Sequence, residues 1–433
     1  MKERFLGVTF FILASLHCSY AQRQLGIDEM FNLIEANNNS LRAGKTSVEA
    51  SIQGVEAAKA QRLPDVSAQL AGSINGDVLM LDRDMTNPHG FTQPRWGNSL
   101  VVEAQQIVYA GGAIDAGVRL AEYGKQMEET NLAATRNNIR FTTLAQYLEL
   151  IKIDNTIRVY DENISLTERL IEHVRTKQEQ GMALKNDITR HELQLQDLLL
   201  GKRKAEDARK VMNHQLCNAL GIEDEPILPD TTIALASYGK DGEKHWQDIG
   251  LTQSPDIART ELDARMAEEK VKIAKSDLLP KVAVVAADNF SGPFQYDIPP
   301  IDKNFNVWYV GVGVKDSLGN LWKSNKKIRQ AKASLLHSQQ NRAVAGEALN
   351  NRMQEAYTQY LQSYTELATQ QKSVELATQN YAVVNNRYEN QLALITDMLD
   401  ASNIKLSAEL REVDARVNIA FAYFKLKYIS GTL

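Results

Sequence analysis

The sequence is poor in the residues that punctuate a chain. Of 433 residues only 10 are proline and 24 glycine. They cluster at a few points, so long uninterrupted elements are expected between them. There are two cysteines, Cys18 and Cys217. Cys18 falls in an N-terminal stretch that reads as a removed leader, which leaves Cys217 alone. No intrachain disulfide can then form, and stability must come from packing. The formal net charge is -5, which argues against a nucleic-acid partner, because such binders carry a basic surface. After residue 21 no stretch reaches the roughly 18 consecutive apolar residues that a helical membrane span needs.

Catalytic and metal-binding patterns are also missing. His89, His173, His191, His214, His245 and His337 form no His-x-x-x-His pair. His214 and Cys217 lie three apart on a helix face, but two ligands with no others near read as ordinary helix residues. Gly311-Val312-Gly313 lacks the third glycine and the following helix of a dinucleotide fingerprint. No Walker loop or nucleophile elbow is present. We therefore expect no enzyme, no cofactor, no catalytic residue and no metal site.

What is present begins with an export signal. Lys2 and Arg4 precede an apolar run from Phe5 to Leu16, and Ser19-Tyr20-Ala21 offers small residues where a signal peptidase reads. Residues 1–21 are thus expected to be a signal peptide cleaved before Gln22. Lipidation at Cys18 competes with this, although His17 is a poor residue before a lipidation cysteine. An exported chain without a helical span is soluble, lipid-anchored, or inserted as a β-barrel.

The chain is also written twice. "VEAAKAQRLP" and "EKVKIAKSDLLP" both end a helical stretch on Leu-Pro, at Leu63-Pro64 and Leu279-Pro280. Gly181-Met182-Ala183-Leu184-Lys185-Asn186-Asp187-Ile188 aligns with Gln391-Leu392-Ala393-Leu394-Ile395-Thr396-Asp397-Met398, and Gly221 aligns with Gly431. A near-constant offset over most of the chain marks a duplicated structural unit. Each half reads helix, two strands, long helix, turn, helix. The first repeat is placed at 22–221, an inter-repeat segment at 222–252, and the second repeat at 253–433. The opening helices run from about Leu41 to Arg62 and from Pro255 to Leu278. Ser254 reads as the second helix's cap and Pro255 as its first residue.

After each Leu-Pro the hydrophobic period switches from helical to alternating. Strands are predicted over about 65–80 and 97–109, and over about 281–290 and 304–316, with loops at Asn87 to Pro94 and Ser291 to Pro300. Four strands cannot close a barrel, and an open sheet in lipid leaves bare edges. Strands in a membrane would have to be pooled by several chains; the alternative is a pair of soluble hairpins packed on helices.

The stretches from Gly112 to Gln180 and from Asn320 to Asn390 contain no proline. As helices each would be roughly 100 Å long, far too long to stand without partners. Leu150, Ile153, Ile157, Tyr160, Ile164, Thr167, Ile171 and Val174 alternate spacings of three and four; so do Tyr360, Ser363, Leu367, Gln370, Val374, Ala377, Tyr381 and Val384. A third seam is read along Leu399, Asn403, Leu406, Leu410, Val413, Val417, Ala420 and Phe424. A 3.5-residue period means coiled-coil packing.

The duplicated plan, the join Gln106-x-x-Tyr109-x-Gly111-Gly112, and the turn Arg387-Tyr388-Glu389-Asn390-Gln391-Leu392 followed by Asp397-Met398-Leu399-Asp400-Ala401 together resemble the TolC-type outer membrane efflux proteins. The likeness covers nearly the whole mature chain. It implies a mainly α fold with a membrane β-barrel. Three subunits pool four strands each into a 12-stranded barrel, continued by an α-helical coiled-coil tunnel across the periplasm.

It also implies a homotrimer in outer membrane lipid, docked by a periplasmic adaptor (membrane fusion) protein and energised by an inner-membrane pump of RND, ABC or MFS type. The helix turns become adaptor-docking tips: Gln180, Gly181 and Met182, then Asn390, Gln391 and Leu392. Asp397 and Asp400 match the acidic positions of a periplasmic gate, Tyr388 a tyrosine that bonds across to the other coil, and Asp187 its partner.

Two positions depart from the family. Ala393 stands where a gate arginine is usual, leaving Arg387 or Lys185 as substitutes. Gln391 stands where glycine is usual, so a left-handed turn is strained there unless Asn390 takes it, and a different turn shape is expected. The implied function is a passive exit duct for efflux or type I secretion; the alternative is an exported coiled-coil scaffold or adhesin without channel activity. Asp397 and Asp400 also admit a plain reading as a helix-start cap and a solvated charge.

Overall fold

A computed structural model describes residues 23–236, 238–239, 241–294 and 301–433. The expected leader with Cys18, and part of the loop from Ser291 to Pro300, lie outside the described residues. In chain order the elements are β1 (Arg23–Leu25), α1 (Ile27–Asn37), α2 (Asn39–Ala60), β2 (Asp65–Ile74), β3 (Val78–Met80), β4 (His89–Phe91) and β5 (Trp96–Tyr109). Then come α3 (Ala113–Glu179), α4 (Lys185–Leu220), β6 (Ile227–Pro229), a 3-10 turn (Thr231–Leu235), α5 (Glu243–Gln253), α6 (Pro255–Ser276), β7 (Lys281–Gly292), β8 (Phe305–Lys315), α7 (Asn320–Glu389) and α8 (Ile395–Ser430). The chain forms two compact units, one of residues 39–138, 240–359 and 424–433, the other of residues up to 38, 139–239 and 360–423.

The first unit carries a four-stranded antiparallel sheet in the order β2-β5-β7-β8. The strand read over about 65–80 stops at Ile74; Val78–Met80 instead pairs with His89–Phe91 in a separate two-stranded ribbon. Register sorts the side chains onto two faces. Val66, Leu70, Ile74, Trp96, Leu100, Val102, Phe290, Trp308, Val310, Val312 and Val314 share one face by their cross-strand pairings, among them Leu70 with Leu100, Leu100 with Phe290, and Val102, Asp288 and Trp308 in a row. Most of this face is bare: Leu70 is 79% exposed, Trp308 72% and Val312 70%. The opposite face is mixed, with Ser67, Gln69, Ser73, Ser99, Glu103, Asn289 and Ser291 beside Val101, Val285, Val307 and Tyr309. Soluble monomers rarely expose an apolar face of that size. β2 and β8 each leave one edge unpaired among the described residues.

The join of β5 to α3 explains its glycines. Gly111 adopts φ 63° and Gly112 φ 81°. A Cβ on Gly111 would stand 2.8 Å from Leu279 Cβ and 2.9 Å from the Ser276 carbonyl oxygen, whereas one on Gly112 meets nothing. Nearby, Glu269 is buried on α6 and held by Arg119 (2.9 Å) and Lys272 (2.6 Å). At the start of α6, Ser254 occupies the cap position, but its hydroxyl makes no capping bond. Its carbonyl accepts the Ile257 and Ala258 N–H groups instead, both at 3.1 Å.

The second unit is built on helices α3, α4, α7 and α8 with α1 and the parallel β1–β6 pair. Tyr147 is fully buried. Its hydroxyl donates to the Leu25 carbonyl and accepts the Asp230 N–H, both at 2.6 Å, so one phenol ties α3 to both short strands' surroundings. Burial first, then the Asp230 charge, pushes that phenol up to about 12. The seams read in α3 and α7 are inward: Leu150, Val174 and Tyr360 are 0% exposed. The seam read in α8 is out of phase near its start. Asn403 is exposed, while Met398, Ala401, Ala408, Ala415 and Ala422 are buried. The large residues set the apparent period, whereas alanines every seventh position let neighbouring backbones approach closely.

Candidate functional site

The turns α3–α4 and α7–α8 both lie in the second unit and close in the same way. Gly181 adopts φ 74°; its N–H donates to the Gln178 carbonyl (2.9 Å), and the Met182 N–H reaches back to Lys177 (2.8 Å). Gln391 adopts φ 62°; its N–H donates to Tyr388 (3.1 Å), and the Leu392 N–H reaches back to Arg387 (2.7 Å). Both are left-handed helix ends with paired back-bonds. The expected difference in turn shape is therefore absent, and Asn390 does not take the strain, since its N–H still bonds helically to Asn386 (3.2 Å). Gln391 bears it, at about 1–2 kcal/mol for an L-residue. The back-bonds offset this, and its side-chain Nε2 donates weakly across the site to the Met182 carbonyl at 3.4 Å.

The next helices start alike too. Asp187 accepts the Leu184 N–H and Asp397 accepts the Leu394 N–H, each at 3.1 Å. Each carboxylate fills half of a capping box. Asp397 thus has a structural task whatever else it does, and Asp400 stands one turn further on, exposed. The Tyr388 hydroxyl makes no hydrogen bond to Asp187 among the described residues, so the structure does not join that expected pair within one chain. The two are still close enough to feel each other: burial, then the Asp187 charge, pushes Tyr388 up to about 12.

Arg387 and Lys185, the candidate substitutes for the missing arginine, are exposed and form no ion pair among the described residues. The cation that spans the hairpins is one that sequence reading missed. Lys177 Nζ donates to the Glu389 carbonyl at 2.7 Å. A backbone acceptor leaves no sequence signal, which is why no pairing rule finds it. Farther along, Gln194 donates to Ser402 (2.8 Å), Asn163 to Glu409 (2.9 Å), and Lys152 pairs with Asp414 (3.1 Å). A cleft of about 420 Å³ lies between the turns, lined among others by Lys177, Asp187, Arg190, Tyr388 and Gln391. Gln180, Gly181, Met182, Asn390, Gln391 and Leu392 are all exposed. The turns also present bare apolar side chains in matched pairs: Met182 and Leu184 at 49% and 70%, Leu392 and Leu394 both at 69%. No group of three or more metal-ligating side chains forms among the described residues.

Residues 248–432 match the family model described as Outer membrane efflux protein. No curated protein matches the chain by sequence. Solved structures similar to it include the outer membrane protein VceC of Vibrio cholerae, at 14% identity and TM-score 0.75, covering 94% of this chain and 96% of that one. The open-state outer membrane channel MtrE of Neisseria gonorrhoeae is similar at 15% identity and TM-score 0.74, covering 94% and 88%. The outer membrane channel CmeC of Campylobacter jejuni is similar at 14% and 0.74, covering 94% and 85%. At such identities the likeness is one of fold. It spans both halves of the chain, so the efflux-protein fold extends over the first repeat as well.

Proposed function

We propose that the chain is the outer membrane channel subunit of a tripartite efflux or type I secretion system: a passive exit duct, without catalysis, that acts as a homotrimer. One observation carries this reading. A four-stranded sheet with one apolar face and two open edges, joined directly to helices of 67 and 70 residues, is neither stable in water nor closed in lipid. Three copies would supply 12 strands, seal every edge and turn the apolar face to lipid and the more polar, mixed face to the lumen. The fold shared with VceC, MtrE and CmeC, and the family of residues 248–432, support the same reading.

The duct sits in the outer membrane with its long helices in the periplasm. Its turns dock a periplasmic adaptor through the exposed Gln180–Met182 and Asn390–Leu392 positions, and an inner-membrane transporter supplies the energy. Asp397 and Asp400, with Tyr388 and Asp187, form the periplasmic gate. Repeated around one mouth, the two acids attract cations. The test is conductance of the purified protein in planar bilayers, alone and as Asp397→Ala and Asp400→Ala. Channels with cation preference are expected, weakened in both variants. Unchanged conductance and ion preference would remove the gate assignment, and no conductance at all would remove the duct.

A further inference from the structure

One buried group near the turns has no structural explanation. His191 on α4 is 0% exposed, and neither ring nitrogen has a hydrogen-bond partner among the described residues. Buried polar side chains are nearly always paired. Packing does not demand an imidazole here. The matching position of the second repeat is Ala401, which is also buried, at 1% exposure.

Its surroundings can be named element by element. On α4, Asp187 lies one turn before it; Gln194 lies beside it, its amide nitrogen given to Ser402 Oγ at 2.8 Å. From α7, Tyr388 meets it edge-on, with centroids 6.1 Å apart and planes at 73°. The Arg175–Glu192 and Gln194–Ser402 contacts set the levels of α3 and α8, which offer Val174 and Met398 there, both 0% exposed. Of the ionisable groups flanking them, Arg175 pairs with Glu192, Lys177 donates to the Glu389 carbonyl, Asp397 accepts the Leu394 N–H, and His173 and Asp400 are exposed to solvent. Asp187 is thus the anion that acts on the imidazole. Burial, the largest influence, lowers the pKa of His191; Gln194 and Asp187 act against it.

The geometry points to His191 as a proton-operated release of the tip, in which acid parts α4 from α7 and opens the duct. The packed tip holds the ring neutral, and a proton is accommodated once the hairpins separate and water reaches it. The sign follows from the lowered value. The packed state is fully favoured above the ordinary imidazole value of about 6.5 and loses ground as pH falls below it, by up to about tenfold per pH unit and per subunit. This inference rests on the duct reading for its consequence, so its test reads the helices and the conductance separately.

The experiment uses the full-length protein in detergent and in planar bilayers at pH 7.5 and pH 5. Amide hydrogen exchange is followed over 170–200 and 380–400 and corrected for intrinsic rates. His191→Phe keeps the ring contact without a titrating group, and His191→Ala copies the second repeat should Phe not fold. In the wild type, protection of both segments is expected to fall at pH 5, by up to about 30-fold, with conductance rising in parallel, while both variants stay protected and closed. A wild-type tip as protected at pH 5 as at pH 7.5, or a variant that loosens as the wild type does, overturns the inference. Loss of protection that depends on His191, without conductance at any pH, supports the release and counts against the duct instead.

Discussion

The two glycines that join β5 to α3 give a quantitative test, because they share a backbone conformation and differ in surroundings. Gly111→Ala and Gly112→Ala both place an L-residue in the left-handed region, at about 1–2 kcal/mol each. For Gly112 that is the whole cost, since its added Cβ meets nothing within 4 Å. For Gly111 the new atom stands 2.8 Å from Leu279 Cβ and 2.9 Å from the Ser276 carbonyl oxygen. Both belong to the backbone or are bonded to it, so no rotamer change relieves them. Overpacking of this kind adds about 1–3 kcal/mol. The expected totals are about 2–5 kcal/mol for Gly111→Ala and about 1–2 kcal/mol for Gly112→Ala. Guanidinium unfolding of the two purified variants in detergent measures the difference. Equal losses, or a larger loss for Gly112→Ala, would refute the claim that the join is fixed by contact with the end of α6.

Tyr147→Phe removes one hydroxyl that serves the Leu25 carbonyl and the Asp230 N–H. Only the long 3.4 Å bond from the Asp230 N–H to the Leu25 carbonyl then remains, and the loss is expected to cost about 1 kcal/mol, read as a lower unfolding midpoint. Burial raises the Glu269 carboxyl, but Lys272 and Arg119 outweigh it and hold it below its ordinary range. Its stabilisation is therefore present above about pH 4.5 and lost as pH falls through the lowered value. Glu269→Gln should flatten that acid limb of the stability curve, and an unchanged limb would count against the buried triad. Gln391→Gly relieves about 1–2 kcal/mol of left-handed strain, offset by roughly 0.5–1 kcal/mol of added chain entropy and by the lost bond to Met182. Hydrogen exchange at the Leu392 amide should accordingly slow or stay level, and faster exchange would contradict the strain.

How much of this was legible in the sequence depends on the kind of signal. Periodicity and the internal repeat carry the strands, the 67- and 70-residue helices and both turns, because proline, glycine and alternation act locally. The start of the α8 seam is misread, since Asn403 and the large leucines stand beside the buried stripe and alanines at 401, 408, 415 and 422 give little hydrophobic signal despite being buried, whereas Val417, Ala420 and Phe424 are buried as read. The left-handed Gln391 is illegible for a different reason: a residue type that disfavours a conformation still adopts it when two backbone hydrogen bonds hold the turn. Asp187 and Asp397 are found by aligning the halves, yet the bonds they make are to backbone N–H groups and not to Tyr388. Lys177 and His191 need coordinates, since one bonds a backbone carbonyl and the ring nitrogens of the other have no hydrogen-bond partner among the described residues.

Most of this depends on copies of one chain completing each other's sheet. The direct measurement is the native mass of the full-length chain extracted from outer membranes in detergent. Three chains per particle are expected, with the strand edges sealed. A monodisperse monomer, folded and stable in buffer without detergent, would contradict it.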